Sequence, residues 1–137
     1  MLVRNCAGGV VFCDDKVFLI KNEKDEWTLP KGVIKGNELS SEVAVKRVKE
    51  ETGLDVDIVS NAGRTSYEFF SITRQKPVCN KITWYIMSSN TDTFELENTP
   101  KLKDGGFYVV SDALNKITYS QDKSIVNLSY QKYMEAE

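Results

Sequence analysis

Two adjacent carboxylates, Glu50 and Glu51, lie in the last turn of a helix that is predicted to end at Gly53. The helix dipole disfavours negative charge at a C-terminus. Two acids at this position therefore indicate a partner of opposite charge, such as a divalent cation, since carboxylate oxygens are the ligands that Mg²⁺ prefers. Adjacent helical residues point about 100° apart, so other groups would have to complete such a site.

The segment before these acids is a glycine-containing loop followed by a short helix. The loop covers residues 32–39, and the helix is predicted to begin near Ser40 or Ser41, either of which can act as N-cap. Ala44 and Val48 lie one turn apart and form an apolar stripe that packs inward. Gly53 follows the last turn, where glycine commonly ends a helix. The elements around this loop and helix must position the carboxylates.

Residues 32–54 resemble the Nudix box, the signature of the Nudix hydrolases. That pattern is Gly, five residues, Glu, seven residues, then Arg-Glu-aliphatic-any-Glu-Glu-any-Gly-aliphatic. The positions in register are Gly32, Glu38, Val48, Glu50, Glu51, Gly53 and Leu54. The resemblance implies an α/β fold, a Nudix-type α/β/α sandwich with a mixed β-sheet between the box helix and a C-terminal helix. It also implies one Nudix domain over residues 1–137.

Two positions depart from the family pattern. Lys46 stands where the family has Arg, and we expect it to reach Glu38, although without a bidentate fork. Arg47 stands where the family has the first helical Glu, whose pairing with the position of Glu51 holds the main cation. Residues 47 and 51 are i and i+4 and share one helix face. Arg47 is therefore expected either to form an ion pair with Glu51 or to turn away and bind a substrate phosphate.

The resemblance also implies the site residues and the cofactor. The expected catalytic residues are Glu50, Glu51 and Glu38, and the expected cofactor is Mg²⁺ or Mn²⁺. The metal would be held by Glu51, then Glu50, with a backbone carbonyl oxygen of Gly32 or its neighbour. In such enzymes the metal bridges phosphate oxygens and activates water for attack on phosphorus.

The expected substrate-binding residues are Lys31, Arg47, Tyr67 and Tyr85. Lys31 offers a cation to phosphate oxygens, and the two tyrosines are candidates for stacking on a base. Both tyrosines could equally be core residues of the sheet. Residues 5–90 contain, in order, GGVVF, VFLIK, WTLPKG, the box, RTSYEFF and KITWYIM. This arrangement resembles the diadenosine polyphosphate hydrolase branch, although Val33 replaces the usual His and residues 36–38 replace Pro-Gly-Glu.

The bulk properties restrict the class of protein. The chain has 137 residues, 41% of them hydrophobic, with a net charge of −2 and no histidine. This size suits one domain, the charge does not favour binding to long nucleic acid, and histidine catalysis is excluded. Cys6, Cys13 and Cys79 are expected to be buried thiols in a reducing cytoplasm, with a Cys6–Cys13 disulfide as the alternative. No apolar run approaches the length needed to span a membrane.

Hydrophobic periodicity outlines the remaining elements. Strands are predicted at residues 2–12, 17–21, 55–60, 64–72, 81–88 and 106–110, with a turn of helix at 111–117 and a terminal helix at 121–135. Residues 90–104 are polar and contain Pro100, and they are predicted to be a loop or a weak strand. That segment holds Glu95, Glu97 and Asp104, any of which could supply a further acid to the metal site or remain solvated.

Three functions are consistent with the sequence. The first is Mg²⁺-dependent hydrolysis of a pyrophosphate bond in a nucleoside diphosphate derivative, such as a dinucleoside polyphosphate or a nucleoside triphosphate. The second is a nucleotide sensor that binds without cleaving, and the third is a protein-interaction domain. The expected partner is a nucleotide or another small molecule with a diphosphate. The sequence does not indicate an oligomeric state.

Overall fold

The computed structural model describes residues 1–136. The strands are β1 (Leu2–Cys13), β2 (Lys16–Asn22), β3 (Trp27–Thr28), β4 (Lys31–Val33), β5 (Val56–Ser71), β6 (Lys76–Ser89) and β7 (Leu102–Val109). The helices are α1 (Ser40–Thr52), α2 (Val110–Lys116) and α3 (Ser120–Ala136).

Within residues 1–136 the strands form one mixed sheet around β1. The order is β3-β2-β1-β6-β5, while β4 pairs with β1 and β7 pairs with β2. The β1–β6 pair is parallel over eleven residue pairs from Leu2↔Val78 to Phe12↔Ser88, and β1 pairs antiparallel with β2 and β4. Because β4 leads directly into the loop before α1, β1 fixes where that loop begins.

The two faces of the sheet carry separate hydrophobic cores. Alternate residues of β1 point to opposite faces, as in any strand. Cys6, Val10 and Phe12 pack in the cluster that includes α3 residues Ile125 and Val126. Ala7 and Val11 pack in the cluster that includes Val43, Ala44 and Val48 of α1. The sheet therefore lies between α1 and α3, which confirms the predicted α/β/α sandwich.

Gly8 and Gly9 allow close contacts at the centre of β1. The Gly9 amide donates to the Pro30 carbonyl oxygen at 3.1 Å, which ties the residues before β4 onto β1. A Cβ on Gly8 would collide with the Trp84 ring and would lie 2.6 Å from the Pro30 carbonyl oxygen. Trp84 is fully buried. Glycine at these two positions therefore permits a close approach of the backbone to its neighbours.

Replacing Gly8 with Ala should lower the free energy of unfolding by about 1–3 kcal/mol, the usual size for overpacking a core. Urea denaturation measures this change. Gly106→Ala is the matched control, because a Cβ there meets Phe94 Cζ at 3.4 Å, an ordinary van der Waals contact. Equal stability of the two variants would contradict the predicted overlap with Trp84 and Pro30.

Several predicted boundaries change in the folded chain. The two strands predicted at 55–60 and 64–72 are one strand, β5, with register shifts at Ile58/Ser60 and Asn61/Gly63. Residues 73–80, which lie between two predicted strands, belong mostly to β6. A bulge keeps a strand paired while it shifts side chains to the other face. Periodicity read from the sequence alone therefore appears broken where the strand continues.

The predicted N-cap of α1 is wrong in detail. The helix begins at Ser40, its N-cap is Leu39, and no side chain caps it. The Ser40 hydroxyl instead hydrogen-bonds the Tyr85 hydroxyl at 2.5 Å. The Ser40 hydroxyl, which the local pattern assigned to the helix cap, is therefore used in a contact with a distant strand. The predicted stop is confirmed, since Gly53 has a φ of 73° and donates to the Lys49 carbonyl oxygen at 2.9 Å.

All three cysteines are free and buried, as expected, so the alternative Cys6–Cys13 disulfide is not formed. Burial raises the pKa of the Cys6 thiol, which keeps it protonated and unreactive. No helix within residues 1–136 has the length and apolar character required to span a membrane.

Candidate functional site

The segment 95–97, which precedes β7 and which we call the strap, packs against the C-terminal end of α1. The Glu95 amide donates to the Thr52 carbonyl oxygen, and the Glu97 amide donates to the Glu51 carbonyl oxygen, both at 2.9 Å. These bonds satisfy carbonyl groups that the last turn of a helix leaves unpaired. They also bring the charge of Glu97 close enough to act on the Glu51 carboxyl.

The Glu51 side chain is buried at this end of α1, and the residue is only 5% exposed. Burial raises the pKa of Glu51 to about 7, an effect that Arg47 and Lys31 partly offset and that Glu97 and Glu50 reinforce. Its Oε1 atom is buried without a hydrogen-bond partner. A buried carboxylate oxygen without a partner is costly, so this atom is suited to receive a cation or a proton.

Arg47 lies against Glu51 and over Gly32. Its guanidinium Nη2 atom is 3.9 Å from Glu51 Oε2, a distance that makes an ion pair but not a hydrogen bond. The Arg47 Nε atom is buried and has no partner. A Cβ on residue 32 would lie 2.5 Å from Arg47 Cγ, so only glycine leaves room for this side chain. The predicted intrahelical pair is therefore formed, but in an imperfect geometry.

A cleft beside this pair has a basic pocket of about 680 Å³. We define the basic pocket by the cations that line it, which are Arg4, Lys31, Lys35, Lys46, Arg47 and Lys101. Three acids, Glu23, Glu38 and Glu50, also line it. Cations therefore outnumber acids here by two to one, although the whole chain carries a net charge of −2. Such a surface attracts anions such as phosphates.

The cleft continues into an aromatic pocket of about 480 Å³. We define the aromatic pocket by Tyr67, Phe69 and Tyr119 together with the polar residues Thr28, Glu26 and Asp122. Both pockets are lined by Glu23, Lys31, Tyr67 and Lys101, so they are two parts of one cleft. The shared Lys31 marks the junction between them.

A chain of polar contacts holds Tyr67 at this junction. Arg4 Nε donates to Asn80 Oδ1, and Asn80 Nδ2 donates to the Tyr67 hydroxyl oxygen, both at 2.9 Å. The Tyr67 and Phe69 rings stack with centroids 5.8 Å apart. The Arg4 guanidinium lies 5.9 Å from the Phe69 centroid, within cation–π range. Tyr67 is therefore a positioned ring beside the basic pocket.

The NUDIX domain family matches residues 3–128. The chain belongs to the Nudix family.

Solved structures share the Nudix fold over nearly the whole chain. A NUDIX family hydrolase from Clostridium perfringens superposes with a TM-score of 0.77 at 17% identity, covering 95% of this chain and 97% of that one. The E. coli dihydroneopterin triphosphate pyrophosphohydrolase gives 0.74 at 14% identity, covering 93% and 96%. A C. elegans Ap4A hydrolase binary complex gives 0.71 at 17% identity, covering 98% and 99%.

Family membership confirms the Nudix identification and supports the predicted enzyme class, a pyrophosphohydrolase. At these identities the structural likeness shows the fold. The substrate has to be inferred from this chain's own cleft.

Most of the predicted Nudix site residues line the cleft. They are Lys31, Gly32, Glu38, Arg47, Glu50 and Tyr67. Glu51 does not line it; it is buried and contacts Arg47, which does. Among the late acids, the strap brings Glu97 toward Glu51, whereas Asp104 lies on β7 opposite Lys21.

Two predicted contacts are not formed among the residues that the structure describes. Tyr85 lines neither pocket; it packs with the core on the α1 side of the sheet, because its neighbour Trp84 points to the α3 side. Glu38 forms no ion pair with Lys46 within the part of the chain that the structure describes. Its Oε1 instead accepts a hydrogen bond from the Lys35 amide at 2.8 Å, which shapes the loop directly.

The sequence analysis missed Arg4, Lys101, Tyr119 and Asp122. No motif marks them, and they come from both ends of the chain. The one available signal was that Asp122 lies in the first turn of the predicted terminal helix, which by itself indicates only a favourable interaction with the helix dipole.

The side chains near the end of α1 could hold a divalent cation only together with ligands from outside the protein. Within residues 1–136 no three acidic, histidine or cysteine side chains form a cluster that would hold a metal alone. Glu51 Oε1 is nevertheless a buried oxygen without a partner, and Glu50 lines the neighbouring cleft. Once Arg47 turns away from Glu51, these donors fit Mg²⁺ that takes its other ligands from phosphate and water, as Mg²⁺ commonly does.

The raised pKa of Glu51 predicts a pH-dependent stability. The pKa of this carboxyl is about 7 in the folded protein and ordinarily 4.5, so the folded state binds the proton more tightly. The contribution of Glu51 to stability is therefore greatest below pH 4.5 and is lost as the pH rises through about 7. The full loss would be about 3 kcal/mol.

Denaturation of the wild type and of Glu51→Gln at pH 5 and pH 8 measures this effect. The wild type should lose stability relative to the variant between these pH values. Burial also raises the pKa of Asp122. Asp122 is present in both proteins, so its contribution cancels in the difference in stability between them. Parallel pH profiles would show that Glu51 is not the group that titrates.

Proposed function

We propose that this Nudix protein hydrolyses a pyrophosphate bond in a nucleoside diphosphate derivative, with Mg²⁺ or Mn²⁺ as cofactor. One observation carries the proposal: a single cleft joins a pocket lined by cations, beside the acidic end of the box helix, to a pocket lined by aromatic rings. The first suits a diphosphate and the second suits a planar base. Dinucleoside polyphosphates and nucleoside triphosphates combine both groups.

The cations of the basic pocket bind and orient the phosphates. Lys31 lies where both pockets meet, and we assign it to the phosphate nearest the nucleoside. Lys46 and Arg47 extend the same charge along α1. Arg47 has a buried Nε without a partner, so a phosphate oxygen would satisfy a guanidinium that Glu51 satisfies poorly.

The carboxylates supply the other half of the chemistry. We assign Glu51 and Glu50 to the cation, with the Gly32 carbonyl oxygen as a further ligand. When bound, the cation neutralises phosphate charge and lowers the pKa of a bound water. Glu50 lines the cleft, and we assign it to orienting that water. Glu38 shapes the loop through the Lys35 amide.

A second function is favoured by the Arg47–Glu51 pair. The Arg47 guanidinium, 3.9 Å from Glu51, already neutralises part of the carboxylate charge that would attract a metal. A protein with this pair could bind a nucleotide without cleaving it. Metal affinity decides between the two functions, because cleavage requires Arg47 to leave Glu51 whereas binding alone does not.

Incubation with diadenosine polyphosphates and nucleoside triphosphates tests the proposal. Released nucleotide and phosphate should appear with Mg²⁺ or Mn²⁺ and disappear when EDTA is added. Thermal stabilisation by nucleotide without any product would support the binding function. Neither product nor stabilisation by any compound would overturn both.

A further inference from the structure

Beyond the phosphates, the aromatic pocket contains a buried acid that the catalytic assignment does not use. Asp122 lies in the first turn of α3, lines the pocket and is 9% exposed. Its Oδ2 accepts a hydrogen bond from the Thr28 hydroxyl at 3.1 Å. Within residues 1–136, no side chain or amide donates a hydrogen bond to its Oδ1. That atom is also not among the polar atoms that are completely buried without a partner. One oxygen of Asp122 is therefore available to a molecule in the pocket.

The hydrogen-bond directions make Asp122 an acceptor. Lys31 Nζ donates to the Thr28 hydroxyl oxygen at 3.4 Å, and an ammonium has no acceptor capacity. Thr28 must then use its single hydroxyl proton toward Asp122. Glu26 already accepts from Asn22 and from the Tyr119 hydroxyl. Glu23 and Glu68 also line the pocket, but both are exposed to solvent. Asp122 is therefore the buried acceptor that this pocket offers to a ligand.

The location of Asp122 relative to Lys31 suits one nucleoside unit. Lys31 belongs to both pockets, and Asp122 is two hydrogen bonds away from it through Thr28. A phosphate at Lys31 would place a base, one sugar away, between Asp122 and the stacked rings of Tyr67 and Phe69. Aromatic rings at this position bind the face of any base, so selectivity must come from its edge.

We propose that the aromatic pocket selects a nucleobase bearing an amino group, which donates a hydrogen bond to Asp122 while the ring lies against Tyr67. The proposal rests on the proposed function for the location of the phosphates. A base that offers only an acceptor at this position would meet a carboxylate oxygen and be rejected, because the acceptor would lose its water without gaining a donor.

Binding of three uncleavable ligands tests the selection separately from hydrolysis. The ligands are methylene-bridged diphosphates of adenosine, of purine riboside, which lacks only the amino group, and of inosine, which has a carbonyl there. Calorimetric titration with Mg²⁺ should give the wild type about tenfold tighter binding of the adenosine ligand than of the other two, the ratio expected for one hydrogen bond to a charged group.

The Asp122→Asn variant should reverse the preference. Its amide oxygen can still accept from Thr28, while its amide nitrogen becomes a donor in the pocket. Adenosine binding should fall to the level of purine riboside, and inosine binding should rise above both. Asp112→Asn, the same change on exposed α2 outside the cleft, should leave all three affinities unchanged.

Equal wild-type affinities for the adenosine and purine riboside ligands would overturn the proposal, and this comparison needs no variant. Absence of binding to all three would also overturn it. An unchanged preference in Asp122→Asn would assign the selection to another group. Hydrolysis of polyphosphates without a preference for the amino group would retain the proposed function and reject only the base selection. A preference for the amino group in binding, without any hydrolysis, would retain the base selection and reject the hydrolytic function.

Discussion

Glu51→Gln should lose nearly all metal-dependent hydrolysis, with kcat/KM falling on the order of a thousandfold, as when a key transition-state contact is removed. The amide keeps the shape of the side chain but cannot carry the charge that holds a cation. The measurement is product release from the best substrate of the panel. Glu42→Gln, the same change in the first turn of α1 and outside the cleft, should keep full activity.

The free energy of unfolding of Glu51→Gln distinguishes a loss of chemistry from a loss of folding. Burial opposes the charged form of Glu51 and raises its pKa to about 7. A neutral amide should therefore be no less stable than the wild type at pH 8. A folded, inactive variant would assign the loss to chemistry. A folded variant that retains a tenth or more of the activity would remove Glu51 from the metal site.

Arg47→Glu should raise both turnover and Mg²⁺ affinity, each roughly tenfold, the lower end of what one well-placed group near a metal contributes. The change removes a cation 3.9 Å from Glu51 and creates two carboxylates at i and i+4 on one helix face. Without metal the two acids repel each other, so the melting temperature should become strongly dependent on Mg²⁺. Thermal melts across a Mg²⁺ titration and steady-state kinetics measure the two effects.

Two further variants separate charge from ligation. Arg74→Glu makes the same charge change in the exposed turn between β5 and β6, and it should leave Mg²⁺ affinity unchanged. Arg47→Gln removes the cation without adding a ligand, so its Mg²⁺ affinity should lie between wild type and Arg47→Glu. If Arg47→Glu lowers both turnover and metal affinity, position 47 is not a vacant ligand site, and the phosphate contact assigned to Arg47 contributes more than an added carboxylate would.

Local features of this chain could be predicted because they depend on short stretches of backbone. The helix over residues 40–52 and its end at Gly53 follow from periodicity and from the left-handed conformation that glycine adopts easily. The Arg47–Glu51 pair follows from i, i+4 spacing. The box motif was sufficient to identify the family and therefore the sandwich.

Tertiary structure decided which distant residues meet at the cleft. Register shifts in β5 and the alternation of β6 send Tyr85 to the α1 side and bring Tyr67 to the cleft. The strap at Glu97 selected one acid among three. Arg4 and Asp122 carry no motif, because a strand or helix specifies its own faces but not which surface of the fold those faces will meet. That choice depends on sheet register and packing, which involve residues too far apart in the chain for a local pattern to record.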